Sequence, residues 1–326
     1  MFEVCFMKKI LGTVLTVCLV LSLLVLSFVL DNSTFSENQQ QTFRILLVVC
    51  LCGIVYCFIA GEITHNYSQM DKLWSLLPIA YLWIIALRDS GNVRLLLYAL
   101  LVTAWGIRLT VNFGRKGAYR LKFWEGNEDY RWAIVRRHPV FNHKLLWSAF
   151  DLFFISGYQN LLVLSICLPA VACMGSSLPL SWIDLLAVVL SLAFLILETV
   201  SDENMWKFQQ TKKEMLEKQD SLSDLPKPYD LGFATQGPWS RMRHPNYLGE
   251  QGFWISLYLF AIGAGAAVYG IFHRSLAGPL LLVLLFIGSS TLGEKISSGK
   301  YPKYKDYIDQ VCKYLPLRKY TPDSHS

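Results

Sequence analysis

Long apolar runs separated by short polar segments dominate the chain. Most runs hold roughly 17 to 25 residues, the number that crosses about 30 Å of hydrocarbon as a helix. Eight such runs occur, at residues 9–30, 43–61, 73–89, 94–113, 145–172, 180–200, 248–272 and 276–293. Pro, Gly and Ser interrupt several of them, which a span tolerates when neighbouring helices satisfy the freed backbone groups. The pattern predicts an all-α, polytopic transmembrane helical bundle of about eight spans.

Composition agrees with this prediction, because 53% of the residues are hydrophobic and only 17% are charged. The first run could also be a cleaved signal peptide, since Lys8 and Lys9 give it a basic start. Its apolar core of about 20 residues exceeds the usual length, however, and no A-x-A-like cleavage site precedes Asp31. We therefore predict a membrane anchor with a short non-cytosolic loop over residues 1–42, and one membrane domain over residues 43–326.

Positive charges are distributed unevenly among the loops. Residues 114–144 hold eight Lys and Arg, residues 201–247 hold seven, and the tail after Gly293 holds seven more, whereas residues 31–43 and 173–181 hold none. Because Lys and Arg favour the cytosolic side, this alternation predicts that both termini are cytosolic. The net charge of +6 lies mostly on that face. It does not indicate nucleic acid as a partner, since no basic domain lies outside the membrane.

Ionisable side chains gather where the sixth run ends. Glu198 and Asp202 are four residues apart, so they share one helix face. Two carboxylates on one face repel each other unless a cation or a hydrogen-bond donor lies opposite. A solvated helix end and a binding site are both consistent with this pair.

A second polar cluster, residues 237–250, lies where the seventh run begins. Its functional side chains are Arg241, Arg243, His244, Asn246, Tyr247 and Glu250. Pro245 suits a first helical turn, so Asn246 is expected at a helix N-terminus, where free N–H groups favour anions. The arginines have fork-shaped donors that suit phosphate, and Glu250 enters the apolar helix, where an unpaired carboxylate is costly. We interpret the cluster as a binding site rather than an ordinary loop.

The tail carries a third group of polar residues. Glu294 is followed by Tyr301, Tyr304 and Ile308, which have helical spacing. An interfacial helix and a lid over the site both fit this pattern. The chain has no G-x-G-x-x-G after a strand and no P-loop, and its eight cysteines show no spacing that predicts a metal site.

Taken together, these motifs resemble the steroid 5-alpha-reductase-like superfamily, and most closely its branch of multi-pass proteins called 3-oxo-5-alpha-steroid 4-dehydrogenase-like. The resemblance covers roughly residues 65–320. Besides the residues above, it rests on three N-terminal segments, which are residues 71–75, residues 105–112 and residues 128–132.

The resemblance implies an all-helical membrane reductase. Its NADPH would lie between cytosolic loops and C-terminal helices, within about residues 198–320, and a hydrophobic lipid substrate would enter from the bilayer. Hydride from the cofactor would pass to an electron-poor C=C bond. The residues expected in the cofactor pocket are Arg108, Asn112, Glu198, Asp202, Arg241, Arg243, His244, Asn246, Tyr247, Glu250, Glu294 and Tyr301.

This chain departs from the steroid reductases at three positions. Trp105 stands where those enzymes place a tyrosine that polarises the substrate ketone, and an indole has a single N–H and no acidic proton at neutral pH. Gln209 and Ser297 stand where they use an Arg and a His against the cofactor. Glu62 and Tyr81, polar groups in the second and third runs, are our candidates for the missing catalytic acid.

Two other functions remain open from the sequence. An S-adenosylmethionine-dependent membrane methyltransferase of isoprenylated or lipid substrates shares the motif from Arg243 to Glu250, and a non-enzymatic membrane scaffold or transporter would have a similar charge pattern. The expected location is the endoplasmic reticulum for a eukaryotic protein and the inner membrane for a bacterial one.

Overall fold

The computed structural model describes residues 2–219 and 221–322, with side chains from Gly12 onward. All regular elements of this part are helical. The α-helices are α1 (Phe2–Val29), α2 (Glu37–Thr64), α3 (Gln69–Leu73), α4 (Leu76–Arg88), α5 (Val93–Gly114), α6 (Tyr130–Arg136), α7 (Lys144–Phe150), α8 (Gln159–Ala172), α9 (Trp182–Leu216), α10 (Pro245–Gly263), α11 (Ala277–Lys300) and α12 (Tyr304–Gln310). The side chains of Lys8 and Lys9, and residues 323–326 of the predicted membrane domain, lie outside the described set.

Six helical segments in the described part are long and apolar enough to cross a membrane. They are Gly12–Val29, Glu37–Thr64, Val93–Gly114, Lys144–Ala172, Trp182–Leu216 and Arg274–Lys300. Within the fourth, a π-helix (Asp151–Tyr158) joins α7 to α8. The chain is therefore an all-helical integral membrane protein, as the apolar runs predicted.

The other two predicted runs form shorter helices. The run at 73–89 contains α4, which has 13 residues and is only about 20 Å long. The run at 248–272 was expected to be one continuous span, but α10 ends at Gly263. There Gly265, with a φ of 74°, donates to Ile262 O, and Ala266 N donates to Ala261 O. This is a Schellman motif, which stops a helix because the residue after the cap is left-handed.

The described part contains two compact units. The first comprises the residues up to Val188 together with Ile255–Leu282. In it, α4 packs closely on α5 because Gly106 has no side chain: a Cβ there would lie 2.6 Å from the carbonyl oxygen of Ser75. Trp105, next to Gly106, is fully buried in this core.

A buried ion pair ties three helices of the first unit together. Arg94 of α5 donates to Asp184 of α9, with Nε 2.6 Å from Oδ1, and to the carbonyl oxygen of Gly263 in α10 at 3.1 Å. A Cβ on Gly263 would lie 2.6 Å from Asp184 Oδ1. Both charged groups are satisfied by each other and by backbone groups, which is the condition for burying charge at low cost.

The second unit comprises Val189–Trp254 and the described residues from Val283 onward. Most of α9 belongs to it, and that helix of 35 residues is roughly 52 Å long, so about 20 Å of it extends beyond the hydrocarbon of a bilayer. The tail folds back within this unit. Tyr304 and Tyr307 of α12 are buried against Phe233 and Tyr320, whereas Tyr301 precedes the helix rather than belonging to it.

Candidate functional site

The site in the second unit begins at a close contact between α9 and α10. A Cβ on Gly249 would lie 2.6 Å from Glu198 Cβ and 2.9 Å from the carbonyl oxygen of Phe194. A Cβ on Gly252 would run into the Phe194 ring. Glycine at these positions lets the two backbones approach, and this brings Glu198 against the first turns of α10.

Polar side chains of the two helices meet at this contact. Asn246 Nδ2 donates to Asp202 Oδ1 at 3.1 Å. Glu250 lies one turn after Asn246 and is 4% exposed, and its carboxylate accepts from Trp254 Nε1 at 3.2 Å. Glu198, one turn before Asp202, is equally buried. Glu198 and Asp202 of α9 thus lie beside Asn246 and Glu250 of α10, on adjoining faces of neighbouring helices.

Only one of the two polar atoms of the Asn246 amide has a hydrogen-bond partner among the described groups. Its nitrogen is bound by Asp202, but its oxygen is buried and has no hydrogen-bond partner among the described groups. A buried acceptor without a donor costs free energy, on the order of 1–3 kcal/mol. The position is therefore suited to a ligand that brings an N–H or O–H donor.

Arg243 makes its contacts with the protein itself. Its Nε donates to Glu294 Oε1 at 2.8 Å, and Nη1 donates to the carbonyl oxygens of Ile308 and Val311. Its backbone N–H donates to Cys312 O at 3.1 Å. The guanidinium thereby holds the segment after α12 against the start of α10. Whether it also binds phosphate, as expected from its donor geometry, stays a prediction.

Glu294 collects several side chains around its carboxylate. His244 Nε2 lies 2.9 Å from Oε1, and Lys313 Nζ lies 3.9 Å from Oε2. The His244 ring stacks on Tyr247, with centroids 5.1 Å apart, and Tyr247 packs on Phe286 at 4.6 Å. Burial lowers the pKa of His244 below its usual 6.5, although the neighbouring carboxylate opposes the shift.

Tyr301 has contacts other than Asn246 and Asp202. Lys212 Nζ donates to the Tyr301 hydroxyl at 3.3 Å and to the Gly232 carbonyl at 2.7 Å. Sequence reasoning missed Lys212, because nothing in the sequence separates it from the neighbouring Lys213. Arg241 is exposed on the loop before α10.

Four predicted site residues belong to the first unit. Asn112 is buried and accepts from Arg115 Nε at 3.0 Å, and Arg108 lies one turn before it on α5. Glu62 accepts from the Ser148 hydroxyl at 2.8 Å. Tyr81 is fully buried in the core of this unit.

Two of the N-terminal segments singled out in the sequence, residues 71–75 and 128–132, contact each other within the first unit. Trp132 Nε1 donates to Asp71 Oδ2 at 3.0 Å. Lys72, fully buried, donates to the carbonyl oxygens of Phe123 at 2.8 Å and Glu125 at 2.7 Å. These contacts fasten the loop after α5, and the start of α6, to α3.

Comparison with known proteins found one curated relative and one family model. An uncharacterised protein of Schizosaccharomyces pombe is 33% identical over 282 residues, which cover 81% of this chain and 78% of the yeast protein. No solved structure matches. The model of the family described as protein of unknown function (DUF1295) matches residues 57–311, a range that includes every candidate site residue predicted from the sequence. The chain belongs to that family.

Proposed function

We propose that this protein is an NADPH-dependent membrane reductase that transfers hydride to a C=C bond of a lipid. The resemblance to the steroid 5-alpha-reductase-like superfamily supports this proposal. The lipid would be a steroid, sterol, polyprenol or enoyl-lipid that enters from the bilayer. The proposal includes about eight spans, both termini in the cytosol, and residence in the endoplasmic reticulum of a eukaryote or the inner membrane of a bacterium.

The observation that carries the proposal is the buried Asn246 amide oxygen, which has no hydrogen-bond donor among the described groups. A nicotinamide carboxamide and ribose hydroxyls both offer donors, which suit the unpartnered Asn246 oxygen and the oxygens of Asp202 and Glu250. These residues would hold the nicotinamide riboside part of the cofactor. When bound, NADPH supplies the hydride, and a proton added to the other carbon completes the reduction of the C=C bond.

The acidic character of the cluster also suits this chemistry. Three carboxylates lie on adjoining helix turns, those of Glu198, Asp202 and Glu250. The side chains of Glu198 and Glu250 are almost fully buried. Fixed negative charges in a water-poor site stabilise positive charge that develops nearby. They would therefore favour the cationic, oxidised nicotinamide over the neutral, reduced one. The apolar helices around the site would exclude water from the hydride acceptor.

The same carboxylates favour one second candidate. S-adenosylmethionine carries a sulfonium and an ammonium group, and both cations suit an acidic cluster. A membrane methyltransferase of isoprenylated or lipid substrates is therefore the alternative. NADPH differs from S-adenosylmethionine in carrying phosphates, so a site for NADPH needs cationic side chains in addition to the carboxylates.

Ligand binding to the purified protein separates the two functions. Mass spectrometry of the ligand released from detergent-solubilised protein should find NADP(H). Added NADPH should raise the melting temperature, because a ligand at 100 times its Kd stabilises by about 2.7 kcal/mol. S-adenosylmethionine should leave the melting temperature unchanged. A shift with the methyl donor alone would replace the reductase by the methyltransferase, and no shift with either ligand would favour a scaffold or transporter.

A further inference from the structure

Lys212 is a buried cation in the C-terminal part of α9, beyond the apolar run at residues 180–200. The residue is 8% exposed, and its ammonium lies 5.6 Å from the centre of the Phe208 ring and 5.4 Å from that of Tyr301. Its two hydrogen bonds go to neutral acceptors, the Gly232 carbonyl at 2.7 Å and the Tyr301 hydroxyl at 3.3 Å. An ammonium has three donors, so one remains for another group.

No carboxylate oxygen of the described residues lies within 4 Å of this ammonium. The pattern is unlike that of Arg243, whose charge is balanced by Glu294. Burying a cation with only neutral acceptors is costly, because the protein gives up hydration without gaining an opposite charge. An anion bound beside Lys212 would remove that cost.

A second lysine approaches the same phenol. Lys300 Nζ lies 5.3 Å from the centre of the Tyr301 ring, and this lysine is exposed. Two cations thus flank one tyrosine. Because the Tyr301 hydroxyl accepts from Lys212, its own proton is free to be donated to a ligand. The group of Lys212, Lys300 and Tyr301 therefore offers several donors and a net charge of about +2, which suits the oxygens of a phosphate monoester at neutral pH.

From this geometry we infer that Lys212, Lys300 and Tyr301 form a phosphate-monoester site, which binds the 2′-phosphate of the cofactor and selects NADPH over NADH. The inference rests on the proposed function for the source of the phosphate. It places the cation that recognises the 2′-phosphate on α9, three residues after Gln209, a neutral side chain.

The test compares Lys212→Gln with Lys213→Gln in the full-length protein. The glutamine side chain keeps a donor for the Gly232 carbonyl and removes the charge, and Lys213 is an exposed neighbour that serves as the matched control. Loss of a hydrogen bond to a charged group costs roughly ten- to a hundredfold in affinity. Lys212→Gln should weaken NADPH binding by that factor and leave NADH binding unchanged, and Tyr301→Phe should have a smaller effect in the same direction. Lys213→Gln should change neither affinity.

Equal losses for NADPH and NADH, or equal losses in the two lysine variants, would overturn the inference. If Lys212→Gln does not fold, Lys212→Arg keeps the charge and should retain the preference for NADPH, and loss of that preference counts against the site.

Thermal stabilisation by inorganic phosphate and by 2′,5′-ADP distinguishes failure of this inference from failure of the proposed function. The wild type could bind neither NADPH nor NADH and still be stabilised by inorganic phosphate and 2′,5′-ADP. If Lys212→Gln abolishes that stabilisation, the phosphate site stands and the reductase proposal falls. If neither ligand stabilises the wild type, the site itself is refuted. Nanodiscs with and without phosphatidic acid test a lipid phosphate. Stabilisation by phosphatidic acid alone, lost in Lys212→Gln, would assign the site to a lipid and overturn the role in cofactor selection.

Discussion

Asn246 Nδ2 donates to Asp202 Oδ1 across 3.1 Å, and this bond joins the first turn of α10 to the end of the apolar part of α9. It orients the amide so that its oxygen is the atom left without a donor. The same contact places Glu198 and Glu250 in adjoining turns, because each is four residues from a member of the bonded pair. This hydrogen bond and the close packing at Gly249 together position the acidic cluster on which the proposed function depends.

Glu250→Gln should weaken NADPH binding while leaving the fold intact. The change keeps the shape of the side chain and the acceptor for Trp254 Nε1, but it removes the negative charge. We expect a loss of roughly ten- to a hundredfold in affinity. NADPH affinity and thermal stability should be measured side by side. A collapse of stability with normal NADPH binding by the remaining folded fraction would show that Glu250 is structural.

Gly249→Ala should destabilise the second unit. The new Cβ would lie 2.6 Å from Glu198 Cβ, so α9 and α10 must separate, at a cost of about 1–3 kcal/mol. Gly293→Ala in α11 is the control, because a Cβ there meets no atom within 4 Å and alanine favours a helix. Melting temperatures of both variants in the same detergent measure the difference. Equal effects would mean that the close contact at Gly249 is not maintained in solution.

Asp184→Asn should destabilise the first unit strongly. Arg94 would then be buried without a carboxylate partner, and breaking a buried ion pair costs about 3–5 kcal/mol. The double variant Arg94→Met with Asp184→Asn should recover part of this loss, because no buried charge remains. Chemical or thermal unfolding of the three proteins gives the comparison. A double variant no better than Asp184→Asn would indicate that packing, rather than charge, causes the loss.

Stability should fall as the pH is lowered from about 7 to 5, in part through His244. Burial lowers the pKa of this residue, so the unfolded chain binds a proton at a pH where the folded protein does not. The stability contributed by neutral His244 is therefore complete above the usual pKa of 6.5 and decreases as the pH falls below it. His244→Gln should flatten the dependence of melting temperature on pH over this interval. A dependence that is the same in the variant would assign the effect to other groups.

Reporters fused at Ser177 and after Ser326 should lie on opposite sides of the membrane. Ser177 is exposed in a segment that has no Lys or Arg, whereas the tail holds seven. The positive-inside rule places that tail in the cytosol. Both reporters on one side would contradict the prediction of about eight spans with cytosolic termini.

The sequence by itself determined that the chain is helical and membrane-embedded, because about 20 consecutive apolar residues satisfy their backbone groups in lipid only as a helix. It also placed Glu198 and Asp202 on one helix face, since a spacing of four residues does so in any α-helix. The start of α10 at Pro245 followed from local chemistry as well.

Only the tertiary structure decided which of these groups meet. Arg243 resembled a phosphate ligand in the sequence, and its bonds to Glu294 and to carbonyls of the tail depend on a chain reversal more than 50 residues later, which no local pattern encodes. Lys212 and Lys213 are indistinguishable by composition, and a helical rotation of about 100° per residue buries the first and exposes the second. The contact of Glu198 with Gly249 likewise exists because two helices pack together, and packing is a property of the assembled chain rather than of either segment.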